Sequence, residues 1–299
     1  MNEEAYRVRF ERPRLAELAR DGAVVDMHFH SRLSDGRDDA AAIAARAREL
    51  GIGVAVTDHN AVATALELDR FEDLLSIPGI ELTSWEGTHL LVYFYDARSL
   101  LRFFRRHVEP FRGAEVMSSL SLGLASLLER ARDFETLVVF PHPYCGNYTG
   151  VQNPLFDEGE RAAFFKQVDG IEAINAENLN RWNLKSALLG FNLGKALTGG
   201  SDGHRRARLG RAVTVAACPS NRRAFLDAVK EGRARVVGKE VDLLRKVTEN
   251  GARLRTGIRH APDLVGKNLR FLNATSRRLC DSVQRSLAGR LRTAERRGA

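Results

Sequence analysis

Of the chain's eight histidines, six stand at the end or the start of an apolar run. The densest case is VVDMHFHSRLSDGRDD, Val24 to Asp39, where His28 and His30 close a run that begins Val24-Val25. Side chains at i and i+2 of a strand point to the same face, so the two imidazoles project together. Paired imidazoles grip zinc, iron and similar ions, although two histidines hydrogen-bonded in a packed core would read the same way. Asp35 follows in a Ser-Asp-Gly turn. Further along, TDHN places His59 just past an apolar run, and GIEL places Glu81 at the end of another. A glutamate there has two oxygens with which to bridge two ions. THLLVYF opens with His89, VVFPHPY holds His142 between prolines that fix the backbone, and GGSDGH offers Asp202 and His204. Taken singly, each has a plainer use. Ser-Asp-Gly is ordinary turn chemistry, and Asp58 could cap a helix. His107 and His260 lie in helix-like basic surroundings and read as structural.

Several histidines and carboxylates together suit Zn, Mn or Fe better than Mg alone. Such ions make hydroxide available near neutral pH and neutralise the charge of a phosphoryl group under attack. The sequence has no G-x-S-x-G nucleophile motif and no P-loop. These residues point to metal-dependent hydrolysis, of a phosphoester or, at the same metals, of an amide or ester. Asp202 would hold a metal and orient the attacking hydroxide, and His204 or His59 would protonate the leaving oxygen.

These residues are spread over about 180 positions, so the fold must gather them. Strand-like runs (AVVDMHFH, GIGVAVTDHN, LLSIPGIELTS, THLLVYFYD, TLVVFPHP, GIEAINAEN, KALTGGSDGH, ARVVG) alternate with helix-like stretches such as RDDAAAIAARAREL. That alternation predicts parallel strands with crossover helices, an α/β chain. A barrel brings all strand C-termini to one mouth, which an open sheet does not.

In this order, HFHSRLSDG, TDHN, the strand-end glutamate, the strand-start histidine, HP and GGSDGH resemble the polymerase-and-histidinol-phosphatase (PHP) domain, over roughly Val24 to Gly238. The resemblance implies a distorted (β/α)7 barrel with two or three divalent metal ions. It also implies nine ligand positions, filled here by His28, His30, Asp35, His59, Glu81, His89, His142, Asp202 and His204. With all nine filled, an active enzyme is favoured over a metal-stabilised binding module. Small relatives of this form resemble nucleotide phosphatases or 5′–3′ exonucleases acting on nucleotide or nucleic-acid ends. Histidinol-phosphate hydrolysis, or amide or ester hydrolysis at the same metals, are the alternatives. Tyr144, Arg181 and Trp182 are candidates for holding a phosphate or stacking on a base.

The 299 residues carry a net charge of +8, placed unevenly. Residues 241–299 hold 14 Lys/Arg against 5 Asp/Glu, whereas the other 240 hold 32 against 33. The expected division is a phosphoesterase barrel over 1–240 and a basic, amphipathic helical extension over 241–299. Val265, Leu269, Leu272, Leu279, Val283, Leu287 and Leu291 form the extension's apolar stripe. The stripe is expected to pack on the barrel; a homodimer contact or an anionic surface such as nucleic acid or lipid are the other uses. No apolar run approaches the roughly 18 residues of a membrane span. The start of the chain has no secretory pattern, and the three cysteines have no paired spacing. A cytoplasmic protein is expected.

Overall fold

The computed structural model describes residues 7–113, 118–240 and 265–278. Ten strands form two five-stranded sheets. They are β1 (Val8–Arg9), β2 (Ala23–Phe29), β3 (Gly53–Val56), β4 (Gly79–Thr83), β5 (His89–Phe94), β6 (Thr136–Phe140), β7 (Gly170–Asn175), β8 (Ala196–Gly200), β9 (Ala212–Ala216) and β10 (Ala234–Gly238). One sheet runs β1-β10-β9-β2-β3 and the other β4-β5-β6-β7-β8. Nearly every strand residue is buried, which is why these runs read as continuous apolar stretches rather than alternating ones.

The expected parallel pairing with crossover helices needs correction. The pairs β2–β3, β6–β7 and β7–β8 are parallel. By contrast β4–β5, β5–β6, β2–β9 and β9–β10 are antiparallel. Only the short Ser84–Thr88 turn joins β4 to β5, and a parallel crossover needs about a dozen residues. Nor do the described strands close into one hydrogen-bonded ladder. Isolated parallel bridges at Phe29/Gly203, Val54/Ser76 and His59/Glu81 join the two sheets.

The reversal of β5 serves the site. Running antiparallel to β4, it brings its first residue, His89, opposite Thr83 at the C-terminal end of β4. A histidine at a strand start thus shares a rim with those at strand ends. Beneath the rim, Val25 and Met27 of β2 pack with Leu91 and Tyr93 of β5 and Leu137 and Val139 of β6. Each such large apolar side chain contributes roughly 1.5–3 kcal/mol on burial. The Tyr93 hydroxyl donates to the Met27 carbonyl at 2.6 Å, satisfying both groups in the core.

Helices cover the sheets as their sequences direct. In the helix Ala40–Leu50, Asp39 caps the N-terminus by accepting from Ala42 N at 3.0 Å, and Gly51 ends the helix at φ 65°. Its buried residues Ala40, Ile43, Ala44 and Ala47 recur at helical spacing. No helix among the described residues is long and apolar enough to cross a membrane.

The basic extension is described over 265–278, where it is helical. Contrary to the expected packing stripe, Val265, Leu269 and Leu272 are exposed. The face turned to the body is polar and aromatic. Lys267 is buried, Arg270 lies 4.4 Å from the Trp85 ring, and the Phe271 ring lies 6.3 Å from that of Tyr148. Residues 267, 270, 271 and 278 share one side of a helix, and cation–π and ring contacts dock that side where an apolar stripe was expected. Leu279, Val283, Leu287, Leu291 and His260 lie outside the described residues.

Candidate metal centre

All nine expected ligand residues meet at the rim. The Nε2 atoms of His28 and His30 are 3.2 Å apart. Glu81 Oε2 sits 3.4 Å from His28 Nε2, 3.3 Å from His30 Nε2 and 3.1 Å from His59 Nδ1. Its other oxygen, Oε1, sits 2.9 Å from His89 Nδ1 and 3.4 Å from His142 Nε2. One carboxylate therefore faces two groups of imidazoles. On the opposite side Asp202 Oδ1 lies 3.1 Å from His30 Nε2, and Asp35 Oδ2 lies 2.8 Å from His204 Nε2.

The local backbone is built for this approach. Gly200 precedes the Ser201-Asp202 turn, and a Cβ there would come within 2.6 Å of His28 N. Asp202 and His142 are non-glycine residues at positive φ, 49° and 29°. Such conformations cost about 1–3 kcal/mol each and persist where surrounding structure fixes them. Here the Asp202 N–H donates to the His28 carbonyl at 2.7 Å, and the His142 N–H donates to Glu172 Oε2 at 2.8 Å. The register between β2 and β3 shifts between Asp26 and Phe29, beside His28.

Supporting residues orient the ligands. Glu172 Oε1 lies 3.0 Å from His28 Nδ1, so the ring donates there and turns its Nε2 lone pair to the cluster. Asn175 donates to both Glu172 and Asp202. His204 Nδ1 donates to the Asp202 carbonyl at 2.8 Å, which turns its Nε2 to Asp35 Oδ2. Asp58 caps no helix; it accepts from Ser31 N, Ser31 Oγ and Ser34 Oγ, holding the turn between His30 and Asp35. Glu172 and Asn175 escaped the sequence reading. They lie in GIEAINAEN, a run without a histidine, and the i, i+3 spacing of two polar residues in a buried strand was the available signal.

These donors fit metal ions. Four triads have ligand atoms within 4.8 Å of one another: His28/His30/Asp202, His30/Asp35/His204, His30/His59/Glu81 and Glu81/His89/His142. Both Glu81 oxygens, Asp35 Oδ1, His59 Nδ1 and His89 Nδ1 are buried without a hydrogen-bond partner. Lone pairs converging on lone pairs in a buried site call for cations between them.

Protonation follows the same crowding. Burial favours neutral His30, but Asp202, Glu81 and Asp35 outweigh it and raise its pKa to about 10. Burial lowers His59 to about 3, with the His30 and His89 charges adding to the effect. Burial also lowers His89, and Lys267 contributes through its charge. Burial disfavours ionised Glu81, yet His89, His59 and His28 hold it well below the usual carboxylate range.

The cluster forms the floor of a cavity of about 520 Å³. Trp182 and Lys267 line it, but Tyr144 and Arg181 do not. The Arg181 guanidinium instead lies 5.1 Å from the Trp182 ring, and Tyr144 offers its carbonyl to Asn178. Among the eight histidines, His107 packs 5.6 Å from the Phe103 ring, away from the site.

A family model described as PHP-associated matches residues 180–234, the span that contains Asp202 and His204. A two-domain protein from Bacteroides vulgatus containing a predicted PHP-like metal-dependent phosphoesterase shares the fold at TM-score 0.54 and 17% identity, over 81% of this chain and 73% of that one. The chain is thus similar to PHP proteins in its fold and, over residues 180–234, to the PHP-associated family model. Endonuclease Q, in complex with a 27-mer duplex bearing an abasic lesion at the active site, superposes at TM-score 0.60 and 18% identity, over 73% of this chain and 60% of that one. An amidohydrolase from Chromobacterium violaceum with bound sulfate gives TM-score 0.50 and 15% identity, over 70% and 96%. At these identities the likeness is one of fold. No curated protein matches the sequence.

Proposed function

We propose that this PHP-like protein is a metal-dependent phosphoesterase acting on nucleotides or nucleic-acid ends, as a nucleotide phosphatase or a 5′–3′ exonuclease. The observation that carries the reading is Glu81. Its two oxygens face separate groups of histidines on the floor of an open cavity, an arrangement suited to two or three Zn, Mn or Fe ions. His28, His30, Asp35, His59, Glu81, His89, His142, Asp202 and His204 would hold them. Ions bound there would activate water and neutralise charge on the phosphoryl oxygens.

The chain's own residues do the rest. Asp202, clamped by Asn175 and by its backbone bond to His28, orients what approaches the floor. His59, held neutral by burial, has no proton to give near neutral pH and serves as a ligand. Protonation of the leaving oxygen falls to His204 when its Nε2, at the cavity wall 2.8 Å from Asp35, carries a proton rather than a metal ion. Trp182 offers a flat surface against which a base can stack. Endonuclease Q, with its duplex substrate, supports a nucleic-acid or nucleotide ligand. The amidohydrolase favours a second reading, amide hydrolysis at the same floor.

One panel with added Mn separates these readings. It contains a nucleoside 3′,5′-bisphosphate, 5′-phosphorylated short RNA and DNA, histidinol phosphate and an acylated amine. Phosphate from the bisphosphate marks a nucleotide phosphatase, and stepwise mononucleotide release from 5′ ends marks an exonuclease. Turnover of histidinol phosphate alone would replace the nucleotide assignment. Turnover of the acylated amine alone would overturn the phosphoesterase reading. A protein that binds metal but turns over nothing would be a binding module.

A further inference from the structure

Lys267 belongs to the C-terminal extension, yet it is 2% exposed and lines the cavity whose floor is the metal cluster. Among the described residues it is the one lysine or arginine in that lining. An ammonium has no lone pair and cannot serve as a metal ligand. The site is shaped to admit the side chain. Gly87, in the turn between β4 and β5, has φ 92°, and a Cβ there would lie 3.3 Å from Lys267 Cδ and 2.7 Å from Tyr148 Cδ2. Glycine thus leaves the space through which the lysine stem runs beside Tyr148.

The helix 265–278 is docked at both ends of its described length. Arg270 covers the Trp85 ring and donates to the Trp85 carbonyl at 3.2 Å. Phe271 meets Tyr148 edge-on, and Arg278 donates to the Phe156 carbonyl. These contacts fix the helix so that residue 267 reaches the cavity.

We propose that Lys267 is a substrate-binding residue whose ammonium contacts the phosphoryl oxygens of the bound ester, so that the basic extension completes the active site. The inference rests on the phosphoesterase reading. Metal ions held by the floor residues would take up the phosphoryl group there, and Lys267 contacts it from the wall. A lysine serves this purpose as a compact point charge with three donors. Apolar or uncharged substrates gain nothing from it, so it selects for phosphorylated ones.

The test uses the full chain loaded with Mn, as wild type, Lys267→Met and Lys267→Arg. Methionine keeps the stem beside Gly87 and removes the charge. Three quantities are read: metal content, KM and kcat for the nucleoside 3′,5′-bisphosphate, and the affinity for inorganic phosphate by calorimetry. Lys267→Met should keep its metals while KM and the phosphate Kd each rise about tenfold or more, the size of a lost charge-assisted hydrogen bond. Lys267→Arg should recover part of the phosphate affinity. Unchanged KM and phosphate affinity in Lys267→Met would overturn the proposal. So would loss of metal or of the folded state in both variants, which would mark a structural lysine. If the wild type hydrolyses no phosphoester, the phosphoesterase reading fails on its own. Phosphate binding then decides Lys267: weaker binding in Lys267→Met upholds the contact, and equal or absent binding in both proteins overturns it.

Discussion

Glu81 meets two groups of imidazoles through its two oxygens. Glu81→Gln removes the charge and replaces one oxygen with a donor that no metal accepts. Elemental analysis should show the variant losing more metal than His89→Ala or His142→Ala; equal losses would mean Glu81 serves one ion only. Glu172 acts one step back, through the His28 ring. Glu172→Ala should weaken metal affinity about 10–100-fold while leaving the fold intact, as measured by competition with a chelator. Protons compete for the same atoms. His30 is held protonated up to about pH 10 in the metal-free protein by Asp202 and Glu81, against the pull of burial. The metal-free state therefore keeps a proton that the loaded state must release. Metal affinity should rise with pH by about tenfold per unit for each proton displaced, below the raised pKa. Calorimetry in buffers of differing ionisation enthalpy reads that proton; affinity independent of pH between 6 and 9 would contradict the assignment of His30 as a ligand.

At the scale of elements, buried hydrogen bonds hold the strand ends in place. Asp26, inside β2, accepts from Ser201 N and Gly210 N at 2.8 Å each and from His28 N at 3.3 Å. It thereby ties β2 to the turn after β8 and to the approach to β9. Burial nonetheless raises its pKa to about 6, so ionised Asp26 costs stability above that pH and the cost disappears below its ordinary value. Asp26→Ala leaves three buried donors unanswered and should destabilise the fold by about 3 kcal/mol or more in denaturant unfolding. A loss under 1 kcal/mol would show that water replaces the carboxylate. The sequence made the main elements legible, since β2 to β8 and β10 each coincide with an apolar run. It hid β9, AVTVA, which has no polar residue of chemical interest to draw attention. It hid strand direction too, because a buried strand reads the same whether parallel or antiparallel. The nine candidate ligands were visible as histidines and carboxylates at strand edges and in the turns beside them. Glu172 was not, because one acid in an apolar strand declares no partner until His28 is placed 3.0 Å away.

Across the whole molecule, two sheets bring residues from positions 28 to 204 to one rim, and the extension adds position 267 from outside them. The extension's charge excess was legible as a basic tail. Its inward face was not, because the leucine stripe suggested the opposite side. Lys267, Arg270 and Phe271 dock the helix, and Val265, Leu269 and Leu272 remain exposed. The charge of this segment is thus used in part at the cavity rather than only as a solvated surface. The central claim, that the histidine–carboxylate floor is a metal centre for phosphoester hydrolysis, is tested most directly by titrating the metal-free chain with Mn while recording phosphate released from a nucleoside 3′,5′-bisphosphate. The account predicts no release before metal is added and a rise that saturates at two or three ions per chain. Release in the presence of a chelator, or none at any metal loading, would contradict it.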